Sequence, residues 1–216
     1  MTAVESECPS NRDDSTTHSS INSAGLHPSE IVAALRARVL TLTPADINLE
    51  SFSTATCAWG VVIETAHPDA VASLVVLADG SVSLYVSDGN GCVGCGAHRD
   101  VRIAGAELLE VAQRSFTLAV RTDDIGYPPP GNIRFYFLCF DELRSVQVRI
   151  EDLNSTDAQL CALYFAGQRV INSIERVGAG QSLEHEIRLA LSSSAPILKG
   201  STACLSVGNA VRRLRT

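Results

Sequence analysis

The fold is decided by residues 70–87, whose sequence is AVASLVVLADGSVSLYVS. Residues 70–78 form a nearly continuous apolar run that is short for a helix and has turn residues on both sides, which is typical of a central strand buried on both faces. Asp79-Gly80 is a strong hairpin signal, and it favours a type I′ turn with positive φ at both central residues. Apolar and polar residues then alternate over 81–87. The sequence therefore predicts two neighbouring antiparallel strands.

The chain before this hairpin predicts one helix and one further strand. Pro28 suits the first position of a helix, and apolar residues recur at helical spacing after it, whereas Arg36 and Arg38 fall off the apolar stripe. The next strand is expected over 57–65. Alternation assigns its side chains to two faces: Val61 and Ile63 on one, Val62 and Glu64 on the other.

The chain after the hairpin predicts a helix over 97–115, an irregular connection over 122–132, two strands over 133–140 and 146–150, and helices over 160–174 and 182–191. The irregular connection contains Tyr127-Pro128-Pro129-Pro130-Gly131, and three prolines cannot join a strand ladder or a helix interior. The same prolines could equally form a polyproline segment that is presented to a partner.

This order of elements predicts an α+β domain. Consecutive hairpins imply an antiparallel sheet of about five strands with helices packed on one or both faces, in a two- or three-layer sandwich. We expect this single domain over 28–191. Residues 1–27 are rich in Ser, Thr and Asp and are expected to form a disordered tail, while 192–216 read as a loose C-terminal extension.

Composition narrows the classes of function. The formal net charge of −7 argues against nucleic-acid binding, because a phosphate backbone attracts basic surfaces. The N-terminus lacks the apolar run of a secretory signal, and no stretch approaches the roughly 18 apolar residues of a membrane span. We therefore expect a cytoplasmic protein without membrane contact. The seven cysteines, an odd number, fit reduced thiols better than a disulfide framework.

One glycine-rich segment, residues 89–98 with the sequence GNGCVGCGAH, is the candidate site. As letters it satisfies the dinucleotide-binding pattern, but it follows a hairpin strand and not a parallel βαβ unit. Capture of an anion at the start of the following helix is the simpler alternative. The candidate ligand-binding residues are Gly89, Gly91, Gly94 and Gly96.

Two thiols and an imidazole stand in the same segment. Cys92, Cys95 and His98 have the C-x₂-C-x₂-H spacing of soft metal ligands, which suits zinc, although a fourth ligand would have to come from elsewhere. The thiol pair could instead be redox-active. The alternative is structural: the glycines permit a tight crossing from strand to helix, the thiols pack as small apolar groups, and His98 caps the helix or lies on the surface. On that interpretation no cofactor is needed.

The sequence resembles an uncharacterised group of small bacterial α+β proteins in three places: the run WGVVIE at 59–64, the run LADGSVSLY at 77–85, and the glycine loop that ends at His98. The resemblance covers about residues 30–177, and it implies no established activity. The loop of that group is mainly rich in glycine and isoleucine, so Cys92 and Cys95 depart from it. The order of helices and hairpins also looks like the profilin and Roadblock type of sandwich, which is an analogy of fold alone.

The sequence contains no convincing catalytic constellation. It carries an aromatic strand, a proline-rich connection and two polar tails, and these favour a non-enzymatic module that binds another protein or itself. The alternative is a small-ligand, anion, metal or thiol site at 89–98, which could be enzymatic.

Overall fold

The structure is a computed structural model that describes residues 27–49 and 58–177 and the backbone of 203–204. Three expectations fall almost wholly outside the described residues: the tail before His27, the short helix over 182–191, and the C-terminal extension apart from residues 203–204. The boundaries of the domain expected over 28–191 remain predictions.

All strand pairs are antiparallel and form one sheet, in the order β5-β7-β6-β1-β2-β3-β4-β8 within the described residues. The five longest strands are those that the sequence predicts. The sheet is nevertheless larger than expected, because three strands of two or three residues extend it. The strands are β1 Ala58–Ala66, β2 Val71–Leu77, β3 Val82–Val86, β4 Gly91–Val93, β5 Val120–Arg121, β6 Asn132–Cys139, β7 Leu143–Arg149 and β8 Ala203–Cys204.

Three α-helices complete the described fold: α1 Pro28–Leu40, α2 Arg99–Ser115 and α3 Ala158–Val177. Helix α1 begins at Pro28, as predicted, and His27 and Glu30 close a capping box before it. Short 3₁₀ turns join the larger elements, including Cys95–Ala97 immediately before α2. Within the described parts of the chain, no helix is both long and apolar enough to cross a lipid bilayer.

The layers form an α/β/α sandwich, the three-layer alternative. One apolar cluster lies between the sheet and the helices α2 and α3, and a second lies between the opposite face of the sheet and α1. Strand β1 is buried along its whole length because it has helices on both sides and strands on both edges. The predicted alternation is confirmed: Val61 and Ile63 face α2 and α3, and Val62 faces α1.

The hairpin between β2 and β3 is confirmed, but its predicted turn type is wrong. Gly80 has φ of 87°, whereas Asp79 does not have the positive φ that a type I′ turn requires. Leu77 O accepts from Gly80 N at 3.0 Å, and Leu77 N donates to Ser81 O at 2.9 Å. The loop is therefore longer than the two-residue type I′ loop: the turn that Leu77 O and Gly80 N close is followed by Gly80 with positive φ. The Asp79 carboxylate stabilises it by accepting from Ser81 N at 2.9 Å.

A second turn of the same design joins β3 to β4. Val86 O accepts from Gly89 N and Val86 N donates to Asn90 O, at 2.9 and 2.8 Å. The Asp88 carboxylate accepts from Asn90 N at 3.0 Å, as Asp79 does in the first turn. The start of the predicted glycine loop is therefore a hairpin turn followed by a short strand.

Candidate functional site

A buried ion pair links α1 to the centre of the sheet. Arg36 Nε and Nη2 donate to the two carboxylate oxygens of Glu64 at 2.5 and 2.8 Å, a two-pronged geometry typical of strong pairs. The exposed fractions of the two side chains are only 8% and 0%. Ser73 on β2 donates a further hydrogen bond to Glu64 Oε1 at 2.9 Å. Charges of this kind are stable in a protein interior only when they are paired and hydrogen-bonded in this way.

The position of Arg36 corrects the expectation that it lies off the buried stripe of α1. The buried residues of this helix are Val32, Arg36, Val39 and Leu40, which lie three, four or one positions apart on one face. The stripe inferred from apolar residues alone was rotated toward Ile31 and Leu35, which are only partly buried. Arg36 takes an apolar position because a carboxylate faces it.

Arg36 also holds the connection between β5 and β6, hereafter the 122–131 loop. Its Nη1 donates to Ile125 O at 2.7 Å and its Nη2 to Gly126 O at 3.1 Å. The guanidinium lies 4.0 Å from the centroid of the Tyr127 ring, a cation–π distance. Burial alone lowers the pKa of Arg36, but the hydrogen bonds and charge of Glu64 outweigh burial, so the pKa lies above its ordinary value. Arg36 therefore stays charged.

Strand β6 holds the same loop from a second side. Tyr136 OH donates to Gly126 O at 3.0 Å, and Arg134 Nη1 lies 3.0 Å from Asp124 Oδ2. Asp124 Oδ1 accepts from Gly126 N at 2.8 Å. This bond and the charge of Arg134 lower the pKa of Asp124, so the carboxylate remains ionised at neutral pH. The loop is irregular, as predicted, yet its backbone is anchored at Asp124, Ile125 and Gly126.

The outer side of the 122–131 loop presents apolar groups to solvent. Ile125 and Tyr127 expose 36% and 39% of their surface, although the backbone beside them is anchored. Within the loop, Pro128 is buried, whereas Pro129 and Pro130 are exposed. Two further exposed carboxylates, of Asp123 and Asp124, stand beside Ile125 in sequence. The loop thus combines a fixed backbone with exposed apolar side chains and with the exposed carboxylates of Asp123 and of Asp124, the second of which is paired with Arg134.

In the candidate segment 89–98, the space beside three of the four glycines is occupied by the protein itself. Gly89, Gly91 and Gly94 have positive φ values of 101°, 148° and 69°. A Cβ on Gly89 would lie 2.5 Å from Pro28 of α1, a Cβ on Gly91 would overlap Leu84 O, and a Cβ on Gly96 would overlap Gly80 O. These close approaches require glycine for packing. Binding of a ligand by Gly89, Gly91, Gly94 and Gly96 stays a prediction.

The two thiols of this segment lie together. Cys92 on β4 and Cys95 form a disulfide with a Cα separation of 6.1 Å, inside the range of about 4.4–6.8 Å that disulfides span. The expectation of reduced thiols is therefore wrong for this pair, while Cys139 and Cys161 carry no disulfide. Both bonded cysteines are fully buried in the cluster between the sheet and α2.

His98 stands at the first cap position of α2, where its side chain makes no capping hydrogen bond. A zinc site that uses Cys92 and Cys95 as ligands requires their thiolates, which a disulfide does not supply. Within residues 27–49 and 58–177, no group of three or more His, Cys, Asp or Glu side chains is placed to hold a metal ion.

A shallow cleft of about 210 Å³ lies where the end of α1 meets the turn between β6 and β7. Trp59 and Leu138 line its base, and Asp141 and Glu142 stand at its rim. Trp59 is a core residue, and its indole N–H donates to Cys139 O at 3.0 Å. Of these two carboxylates, that of Glu142 forms an ion pair with Arg144 at 2.7 Å.

The network that holds the 122–131 loop is not among the features that the sequence predicts. Its signal was a single acidic residue, Glu64, inside an otherwise apolar strand, on the face opposite Val61 and Ile63. A buried carboxylate needs a cation, and the nearest helix in sequence offers Arg36 and Arg38. The sequence therefore indicates an ion pair between Glu64 and one of these arginines, but the choice between the two depends on the rotation of α1.

Fold and site together define an α+β protein with an antiparallel sheet between two helical layers and a proline-rich loop that is fixed by a buried ion pair. Comparison with known protein families, with curated proteins and with solved structures finds no match to this chain. The resemblance to the group of small bacterial proteins and the profilin and Roadblock analogy therefore stay predictions.

Proposed function

We propose that the protein is a non-enzymatic interaction module that binds a partner protein through the 122–131 loop. The observation that carries this proposal is the anchoring of the loop by Arg36 and Glu64. The loop presents Ile125 and Tyr127 to solvent while the backbone carbonyls of Ile125 and Gly126 are held by α1 and β6.

Preorganisation is the physical reason why such a loop suits binding. A flexible loop loses conformational entropy when a partner orders it, and this loss subtracts from affinity. Here the backbone carbonyls of Ile125 and Gly126 are already fixed by hydrogen bonds in the free protein. Tyr127 is a rigid side chain with an apolar ring and a polar tip, the type that often anchors protein interfaces.

The surroundings of the loop indicate the chemistry of the partner. Asp123 and Asp124 are exposed beside Ile125, and the whole chain carries a net charge of −7. A partner surface with an apolar pocket for Tyr127 and a basic rim for the carboxylates would complement the loop. A second copy of the same acidic chain fits less well because like charges repel, so we favour a different protein.

The proposal can be tested by capturing partners with the full-length protein from an extract of the source cells and measuring the affinity of purified candidates. Ile125→Glu adds a negative charge to the loop and leaves Tyr127 and Arg36 in place. Phe165→Glu is the matched control, because Phe165 on α3 is also a large exposed apolar residue, with 49% of its surface accessible.

We expect Ile125→Glu to weaken binding by about tenfold or more, since central interface residues often contribute about 2 kcal/mol. Phe165→Glu should bind as the wild type does. Equal binding by all three proteins would contradict the proposal. If the captured protein is the chain itself and light scattering shows a dimer that Ile125→Glu dissociates, the surface is correct but the partner is a second copy.

A further inference from the structure

We propose that two copies of the chain pair edge to edge through β5, with Arg121 of each copy opposite Asp123 of the other. Within the described residues, β5 is the last strand on its side of the sheet and pairs only with β7. Both of its residues are exposed, Val120 to 71%. An open strand edge is a template on which another strand can add. This inference goes beyond the proposed function, because the edge is separate from the outer side of the loop that bears Ile125 and Tyr127.

The hydrogen bonds between β5 and β7 show which backbone groups face the open edge. Thr122 N donates to Leu143 O at 2.9 Å. These two residues flank the opposed pair of Arg121 and Arg144, which is therefore the non-hydrogen-bonded kind of antiparallel pair. The N–H and C=O of Arg121 accordingly point away from β7, toward the open edge.

The same alternation continues one step past β5. Asp124 O lies 3.4 Å from the hydroxyl of Tyr136 on β6, so this carbonyl points back to the sheet. Thr122 and Asp124 both direct backbone groups inward, and we expect Asp123, which lies between them, to direct its N–H and C=O outward. Arg121 and Asp123 together then offer two donors and two acceptors to an added strand.

The charges along the edge favour a second copy as the added strand. Antiparallel pairing of two identical strands about Thr122 places Arg121 of each copy opposite Asp123 of the other, and opposite charges at such positions stabilise a sheet. These are also the residues whose backbone groups face outward, so each opposed pair can exchange both of its hydrogen bonds. The edge is thus complementary to itself, as the interface of a two-fold symmetric dimer must be.

Within one copy, the charges of Arg121 and Asp123 have no ion-pair partner among the described residues. Arg121 lies opposite Arg144, whose own anion is Glu142. Like charges in directly opposed positions are unfavourable, and a carboxylate on the outer side of Arg121 would offset the repulsion. The net charge of −7 opposes association in general, but salt screens charges beyond about 8 Å, whereas hydrogen-bonded opposed residues lie about 5.5 Å apart.

Charge reversal at the two positions tests the pairing. Sedimentation of the full-length protein from about 10 µM to about 1 mM should reveal reversible dimers, since so small a contact is weak, and a non-reducing gel excludes covalent dimers. Arg121→Glu places a carboxylate opposite Asp123, and Asp123→Arg places a guanidinium opposite Arg121. Each change turns two attractive pairs into repulsive pairs, so the dissociation constant should rise about tenfold or more.

An equimolar mixture of the Arg121→Glu and Asp123→Arg proteins is the decisive measurement. Every opposed pair of the mixed dimer again has opposite charges, so its dissociation constant should return to within about threefold of the wild-type value. Arg169→Glu is the matched control, because it makes the same change of charge at an exposed position on α3 and should leave association unchanged. Asp123→Arg makes the chain less acidic, so weaker association of this variant cannot come from overall repulsion.

Three results would overturn the edge pairing: a wild type that is monomeric at every concentration, a single variant at either position that associates as the wild type does, and a mixture that associates no better than its components. Dimers that Ile125→Glu dissociates and Arg121→Glu does not would place the second copy on the loop and refute the edge. A different protein bound through Ile125 to a wild type that stays monomeric would support the proposed function and refute this inference alone.

Discussion

Arg36 and Glu64 are the only charged side chains that are buried within the described residues. Removing two charges from water costs several kcal/mol for each ion, and only good geometry and further hydrogen bonds offset that cost. Glu64 accepts three hydrogen bonds, from Arg36 twice and from Ser73. The second function of Arg36, holding the 122–131 loop, gives a reason for a charged pair where two apolar residues would also pack.

Replacing one partner of this pair should destabilise the protein strongly. Arg36→Met leaves the Glu64 carboxylate buried without a cation, so we expect the free energy of unfolding in urea at pH 7 to fall by about 3–5 kcal/mol. The double variant Arg36→Met, Glu64→Leu should be more stable than Arg36→Met, because no uncompensated charge remains. Arg149→Met is the control: Arg149 forms exposed ion pairs with Glu151 and Asp152, and its loss should cost about 1 kcal/mol or less. A double variant that is no more stable than Arg36→Met would refute this account.

At the residue scale, sequence reasoning went as far as the local pattern allows. Alternation along β1 correctly put Glu64 on the face opposite Val61 and Ile63. It could not select Arg36, because the two residues are 28 positions apart and the contact depends on how α1 is rotated on the sheet. The disulfide was missed for a similar reason: the two-residue spacing between the cysteines fits a metal site, a redox pair or simple packing equally well.

Among the elements, the turn and strand over 87–93 show how glycines shape the sheet. Gly91 lies within β4, has φ of 148°, and approaches Leu84 O so closely that no side chain fits. The close contact brings β4 alongside β3 and thereby positions Cys92 opposite Leu84. The segment that the sequence predicts to be a loop is thus a paired strand, and its pairing with β3 requires that Gly91 has no side chain.

Alanine substitution separates the two requirements for glycine at such positions. Gly131 also has positive φ, 77°, but an added Cβ would have no atom within 4 Å, so Gly131→Ala should cost only the backbone strain of about 1–2 kcal/mol. Gly91→Ala adds a clash with the backbone of Leu84 and Tyr85, so its total cost should exceed that of Gly131→Ala by about 1–3 kcal/mol. Chemical denaturation of both variants measures the difference, and equal costs would show that β4 can move away from β3.

The lengths of the elements explain which of them the sequence predicts. The five long strands and the helices α1, α2 and α3 each contain enough residues for a periodic pattern, and all were expected. Strands β4, β5 and β8 contain two or three residues, too few to display alternation. The Asp88-Gly89 turn was the one available signal for β4, and it repeats the Asp79-Gly80 pattern that was recognised.

Strand β1 lies at the centre of the described molecule, with β2 and β6 on its edges and a helical layer on each face. Contacts on four sides mean that β1 cannot be exposed unless both apolar clusters are disrupted. The edge strand β5 is the opposite case, since its two residues are exposed and pair only with β7. Stability should therefore decrease from the centre of the sheet toward this edge.

Hydrogen exchange monitored by mass spectrometry or NMR should reveal this gradient. Amides of Val61, Val62 and Ile63 are expected to exchange only through global unfolding, so their protection should match the free energy of unfolding measured with urea. Amides of Val120 and Arg121 should exchange by local opening, several orders of magnitude faster. Protection of β5 equal to that of β1 would mean that this edge is covered by chain that the described contacts do not include.

The placement of Glu64 on one face of β1 also affects how the sheet assembles. If β1 slid by one residue against β2 or β6, every side chain along it would exchange faces. The carboxylate would then enter the hydrocarbon interior beneath α2 and α3, far from its cation, while valine and isoleucine would face the guanidinium. Such a mispaired intermediate is less stable than the correct alignment because it buries an unpaired charge. A single ionised group therefore selects the register of a strand whose valines and isoleucines would otherwise tolerate either alignment.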